Sequence, residues 1–231
     1  MHEKLMWFND RIQYMFHQNI VEYDMNAASV SVAERFQLLD NDTIQQLKLL
    51  PKEKRTRKIG LMQRDDKEFS QQLLSGIVEI RRKFIETNHL DEKSILSLHS
   101  DAVFLSSKKK IVSEIEGVGF KHANTWTAYI RYKNIEMFYS DGYITYKGIP
   151  KDMVHQHTLG INKYLCNIFD KIENYDMSVL SYMSKFQKQY LQDKLPEYFY
   201  LPFGRNGTYK MDNLELFAFI ANIVLSEVRS W

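Results

Sequence analysis

Cysteine is nearly absent: Cys166 is the only one in 231 residues. One thiol makes no intramolecular disulfide and no cysteine-built zinc centre, which excludes a disulfide-stapled secreted scaffold and leads us to expect an intracellular, cytoplasmic protein. Proline and glycine are scarce as well, at four and nine residues, which argues against collagen-like, linker-rich and many-turned all-β architectures. No window approaches 18 uncharged apolar residues, and the N-terminus reaches Asp10 and Arg11 before a stretch of signal length accumulates. Neither a membrane span nor a secretory signal is expected. An excess of one charge is missing too: 31 Lys+Arg stand against 29 Asp+Glu, a formal net charge of +2. A nucleic-acid partner therefore has to be held by local basic clusters rather than by a globally cationic surface.

What is present is 44% hydrophobic and 13% aromatic residues, enough for a substantial core in one large domain or two small ones. Leu5, Phe8, Ile12, Met15 and Phe16 recur at helical spacing, which predicts an amphipathic helix over 1–18. Asn19 to Asp24 reads as a short strand ending on an acid. Asn26 is a candidate cap for a helix over 27–39, and Asp40-Asn-Asp separates it from a second helix over 43–50. Pro51 opens the most cationic stretch, Lys52-Glu-Lys-Arg-Thr-Arg-Lys58, which closes on Gly60.

Phe69, Leu73, Leu74, Ile77, Ile80 and Phe84 predict a long helix over 65–88. Residues 94–105 have the composition of a β-hairpin with Asp101 at its tip or just beyond. Residues 120–149, rich in aromatic and β-branched side chains, predict a meander of two or three strands with a turn at Ser140-Asp-Gly142. After Pro150 the signal becomes helical, near 152–173, 176–193 and 212–229, with an aromatic loop at 196–207. The expected division is an α+β domain over 1–150 and a helical region over 151–231.

Two carboxylates at the ends of adjacent strands, Asp24 and Asp101, suit hard divalent cations, which prefer oxygen ligands. Metals held that way align an attacking oxygen and neutralise a triphosphate, so such chemistry needs few other reactive side chains. At these residues the sequence resembles the palm of nucleic-acid polymerases, most closely family B DNA polymerases. Ile20-Val-Glu-Tyr-Asp-Met-Asn-Ala-Ala-Ser29 looks like their motif A, and Ile95-Leu-Ser-Leu-His-Ser-Asp-Ala-Val-Phe104 looks like motif C, Y-G-D-T-D-S-V-F. The segment Tyr129 to Gly148 resembles the stretch after motif C, which ends in a Lys-Gly pair near the primer terminus.

The resemblance covers roughly residues 19–150. It implies an antiparallel palm-like sheet backed by helices, a short basic fingers-like insertion near 40–64, and a helical thumb-like C-terminal region. It further implies a template-directed nucleotidyltransferase with Asp24 and Asp101 as catalytic ligands of two Mg2+ ions. Lys52, Arg55, Arg57 and Lys58 then take the triphosphate, five cations lying in the seven positions 52–58, and Lys147 with Gly148 lies near the primer. The implied partners are a DNA or RNA primer-template, nucleoside triphosphates and a second polymerase subunit, with no membrane.

The departures carry information of their own. Ser29 stands where the family has the aromatic ring that excludes a ribose hydroxyl, so RNA or primer synthesis is as open as DNA synthesis. His99 replaces the other motif C acid, although a histidine in an apolar strand is more often a packed, hydrogen-bonded one. The fingers motif K-x-x-x-N-S-x-Y-G is absent. Asp101 follows Asp24 by 77 positions, a separation implying very reduced fingers and a split or minimal enzyme. Lys108-Lys-Lys110 reads as solvated surface, and His155 and His157 as no metal site. The competing expectation is a non-catalytic palm-like nucleic-acid-binding or assembly protein of a phage or mobile element, in the host cytoplasm.

Overall fold

Alternating patches of period-two and helical patterning place the strands and helices. A computed structural model describes residues 4–150, 154–201, 203 and 213–231, with the side chains of 155–157 outside the description. These residues form an α+β structure with two antiparallel sheets. The strands in chain order are β1 (Met6–Phe8), β2 (Tyr14–Met15), β3 (Ile20–Met25), β4 (Ile95–His99), β5 (Ala102–Ser106), β6 (Glu114–Ile115), β7 (Val118–Trp126), β8 (Ala128–Tyr132), β9 (Ile135–Ser140) and β10 (Tyr143–Lys147). The helices are α1 (Ala28–Arg35), α2 (Asn41–Leu49), α3 (Lys52–Asp65), α4 (Lys67–Thr87), α5 (Val154–Glu173), α6 (Ser178–Leu191) and α7 (Asn213–Val228). No helix among the described residues is long and apolar enough to cross a membrane.

Two compact units result, one of the residues through Asp10 with Ile20–Thr125, the other of Arg11–Asn19 with Trp126–Trp231. The first holds a six-stranded sheet in the order β1-β4-β5-β3-β7-β6. Alternation along β3 gives Val21, Tyr23 and Met25 to a core shared with α1, α2 and α4, and leaves Glu22 and Asp24 to the other side of the strand. Phe69, Leu73, Ile77, Ile80 and Phe84 of α4 are buried in that core, the stripe that the sequence spacing shows. Asp66 starts this helix by accepting the Phe69 amide at 2.9 Å, and Asp40 starts α2 by accepting the Thr43 amide at 2.8 Å.

Where α4 meets α1 the residue is Gly76. A Cβ there would lie 2.6 Å from Val32 Cγ1 and 3.0 Å from Phe36 Cδ2. Gly76→Ala is expected to cost about 1–3 kcal/mol by overpacking, despite the better helix propensity of alanine, and urea denaturation reads it. An unchanged midpoint would show that the two helices separate freely.

In the second unit the sheet runs β10-β9-β8-β2, with Tyr14 opposite Ile130 and Lys147 opposite Glu136. Ile130, Tyr132, Met137 and Tyr139 join Tyr164, Phe169, Phe186, Phe203 and Phe217 in one aromatic-rich core. Tyr139 stacks on Phe169 with centroids 4.8 Å apart, and Tyr164 on Phe186 at 4.1 Å. Asn213 ties the chain before α7 to this core, accepting the Phe203 amide at 3.0 Å and donating to the Leu201 carbonyl at 2.9 Å. Of the aromatic loop expected at 196–207, Phe199 and Phe203 are buried, and most of the remainder from 202 lies outside the described residues. The expectation about His155 and His157 likewise falls on side chains outside the description.

Three expectations change. Of the helix expected over 1–18, the described residues 4–18 form none: Met6–Phe8 pairs with Ser97–His99, and Tyr14–Met15 pairs with β8, so sheet edges capture apolar residues whose spacing also suits a helix. The basic stretch after Pro51, to which the sequence assigns no element, forms a helix with Pro51 at its N-cap. The meander contains four strands, β7 to β10, and the compact units part between Thr125 and Trp126. Position 150 instead marks the passage from sheet to helix inside the second unit.

Candidate functional site

Strand β3 delivers Asp24 beside the turn that joins β4 to β5. Asp24 is paired with Ala102, and the Met25 amide donates to the Asp101 carbonyl at 3.0 Å, so both acids emerge at the same end of neighbouring strands. The hairpin spends only Ser100 and Asp101 on its turn, with Ser100 at φ +36°. Both acids line a cleft of about 370 Å³. After Asp24 the chain crosses Ala27 at φ +45° into α1, a non-glycine residue held in left-handed backbone at the cleft wall. Asn26 does not cap this helix; its amide donates to the Gly119 carbonyl at 2.8 Å and its carbonyl accepts the Ser31 hydroxyl at 2.8 Å.

Helix α1 starts in the cleft with Ala28, Ser29 and Val30. No side chain caps it and its first turn holds no acid. The Val30 amide turns back to the Ala27 carbonyl at 2.9 Å, so the donors this end presents, with its partial positive charge, are the amides of Ala28 and Ser29, which precede the first bond of the helix. The opposite wall is α3, whose Lys52, Arg55, Thr56, Ile59, Gly60 and Gln63 all line the cleft. Their positions recur at three- and four-residue steps, one face of a helix.

Five residues singled out in the sequence thus meet in one cleft: Asp24, Asp101, Ser29, Lys52 and Arg55. Arg57 and Lys58 do not line it, because they fall on other faces of α3; Lys58 borders a separate groove with Leu38, Leu39 and Leu61. Lys147 and Gly148 belong to the second unit and are not among the cleft-lining residues. Gly148 sits at φ +85°, and a Cβ would collide with the Asn134 carbonyl, so turn geometry accounts for its glycine. His99 packs edge-on between Phe8 and Phe104, centroids 5.6 and 5.0 Å away.

Two further contributors, Lys121 and Arg81, belong to no motif of the sequence. Lys121 of β7 lines the cleft and its Nζ lies 3.2 Å from Asp24 Oδ2. Only a paired strand could have placed it there, since 97 positions separate it from Asp24. Arg81 of α4 is fully buried and donates to the Leu5 carbonyl at 2.9 Å and the Ser100 carbonyl at 2.7 Å, and also to the Lys4 carbonyl. Desolvation lowers its pKa to about 10, and the Asp101 charge opposes that loss. A period-3.6 stripe that includes an arginine among isoleucines was the available signal.

Burial, and next the negative charge of Asp24, push the Asp101 carboxyl above the usual aspartate range, while Lys52 acts the other way. Ionising Asp101 therefore costs the folded state. The contribution of Asp101 to stability is greatest below the ordinary aspartate pKa, falls as pH rises through the raised folded pKa, and is level above it. Asp101→Asn is expected to abolish that decline, so that the stability difference between variant and wild type grows from acid to neutral pH in metal-free urea titrations. A difference independent of pH would show that Asp101 ionises without cost.

Among the described residues no group of three or more His, Cys, Asp or Glu gathers to hold a metal. A nitrogen- or sulfur-rich zinc centre is therefore not assembled among them. Two oxygen donors beside cations are a different set. Magnesium is commonly held by one or two carboxylates, with substrate phosphates and water filling its octahedron. Asp101, half-buried beside a second carboxylate in the same cleft, fits that ion.

A comparison with curated proteins gives no match. A comparison with protein families matches residues 1–229 to the family described as bacteriophage PBS1 gene 130 protein. With nearly the whole length matched, the chain belongs to the bacteriophage PBS1 gene 130 protein family.

Proposed function

We propose that this phage protein is a template-directed nucleotidyltransferase of polymerase-palm type. The observation that carries the reading is the convergence of Asp24 and Asp101 with Lys52, Arg55 and the open end of α1 around one cleft. Asp24 and Asp101 would hold Mg2+, which when bound polarises a phosphoryl oxygen and offsets the charge developing on it. Lys52 and Arg55 neutralise the triphosphate, and the Ala28 and Ser29 amides at the start of α1 donate to its oxygens. Ser29, small and at the start of α1, leaves room beside the sugar. Lys121 balances Asp24 before metal binds and then pairs with phosphate. An ion pair with Lys121 52% and Asp24 28% exposed is weak enough to exchange in this way.

Primer extension tests the reading. The protein, with Mg2+ and labelled dNTPs or NTPs on primed DNA and RNA templates, is expected to incorporate nucleotides and to stop on chelation. No incorporation on any template, also with the phage's other replication proteins supplied, would overturn it. One pair of observations favours the second reading, a non-catalytic nucleic-acid-binding or assembly protein. Lys121 occupies Asp24 with a resident cation, and His99 is committed to aromatic packing where motif C of family B DNA polymerases carries an acid.

A further inference from the structure

Helix α3 carries cations on two faces. Lys52 and Arg55 point to the cleft, whereas Lys54, Arg57 and Lys58 do not line it. Arg57 and Lys58 follow Lys54 by three and four residues, so the three form one ridge within about 6 Å of helix axis. All three are exposed, and none has an ion-pair partner among the described residues. Several other cations of this unit are ion-paired. Arg35 meets Glu116 at 2.7 Å, Lys48 meets Glu34 at 2.6 Å, Arg82 meets Glu86 at 2.7 Å, and Lys83 meets both Glu79 and Glu116. Arg64, near the end of α3, is paired with Asp65 at 2.8 Å.

Helix stability does not account for the ridge. Positive side chains in the N-terminal half of a helix oppose its dipole, and Glu53 is the acid in this first turn. In a chain whose formal net charge is only +2, an unpaired cationic ridge beside an anion-suited cleft is a local concentration with a direction. A lipid surface would also attract it, but membrane-lying helices insert an apolar face, and the exposed large apolar side chain of α3 is Leu61 alone among its described residues.

We infer that Lys54, Arg57 and Lys58 form a docking ridge for the phosphate backbone of single-stranded nucleic acid, which α3 guides past the cleft that its other face lines. The choice of nucleic acid as the polyanion rests on the nucleotidyltransferase reading. The ridge takes phosphates without metal or triphosphate, so the two can fail separately.

Fluorescence anisotropy of a labelled 20-nucleotide single strand, as DNA and as RNA of one sequence, tests the ridge on the full chain without Mg2+. The variant Lys54→Gln/Arg57→Gln/Lys58→Gln is expected to bind roughly 10-fold more weakly, with the slope of log affinity against log salt reduced by about 2. These side chains are exposed, so its melting temperature should match the wild type. Lys52→Gln/Arg55→Gln, which alters the cleft, should keep oligonucleotide affinity within about threefold while losing triphosphate binding. Equal loss with both DNA and RNA supports backbone recognition. The inference is overturned by no oligonucleotide binding in the wild type, by unchanged affinity in the ridge variant, or by ridge-dependent binding to phosphatidylserine vesicles alone. Failure of triphosphate binding with the ridge effect intact would instead count against the cleft reading.

Discussion

Replacing Arg81 by methionine is expected to cost about 3–5 kcal/mol of stability, enough to unfold a marginal domain. The guanidinium is fully buried and satisfies the carbonyls of Leu5 and Ser100, together with that of Lys4. Methionine fills much of the volume but takes the guanidinium donors from the Ser100 and Lys4 carbonyls, each worth about 1–3 kcal/mol when stranded, while the Leu5 carbonyl keeps the Ser100 amide at 2.7 Å. It also removes the positive charge that faces Asp101. Lysine is a poor substitute, because a single ammonium cannot span carbonyls from two chain segments as a planar fork does. Urea denaturation of Arg81→Met and Arg81→Lys measures both losses. A midpoint within about 1 kcal/mol of wild type for Arg81→Met would remove Arg81 as the anchor of the hairpin turn. Because Ser100 precedes Asp101, Arg81→Lys should also weaken divalent-cation binding in protein that remains folded, through displacement of the turn.

The second large effect concerns nucleotide incorporation. Asp24→Ala and Asp101→Ala are each expected to lower the rate on the order of 10³-fold, the scale for deleting one preorganised electrostatic group from a transition state. The double variant should be scarcely worse than either single one, since carboxylates that share a task act as a unit. Lys52→Ala and Arg55→Ala should differ in kind, raising KM for the triphosphate more than they lower kcat, because phosphate neutralisation operates in the ground state as well. Single-turnover incorporation at saturating and limiting triphosphate separates the two patterns. Equal activity of Asp24→Ala and wild type would end the assignment of Asp24 as a metal ligand.

Much of the first unit was legible because its elements are locally consistent. The α4 stripe carries one unambiguous period, the β4–β5 hairpin has a strand composition around its turn, and the strand through Asp24 precedes a helix start, and each forms close to where the sequence places it. Residues 4–18 depart from the helical expectation because Leu5, Phe8 and Ile12 satisfy a helical spacing while the backbone around them is captured by distant partners, Trp7 by Leu98 and Tyr14 by Ile130. Pairing across more than 90 positions leaves no local trace. In the cleft the same division holds. Asp24, Asp101, Ser29, Lys52 and Arg55 came from motifs and a charge run, but the run could not show which cations share a face until α3 was known to be helical. Lys121 and Arg81 reach the site through sheet pairing and helix burial, and neither belongs to a motif.

The central claim, that Asp24 and Asp101 together hold divalent metal, is most directly tested by electron paramagnetic resonance with Mn2+, which accepts the same oxygen ligands as magnesium. With triphosphate present the wild type is expected to bind two Mn2+ per chain, displaced by excess Mg2+, and Asp24→Asn/Asp101→Asn to bind none at the same concentrations. Equal Mn2+ binding by the double variant, or none by the wild type, would contradict it.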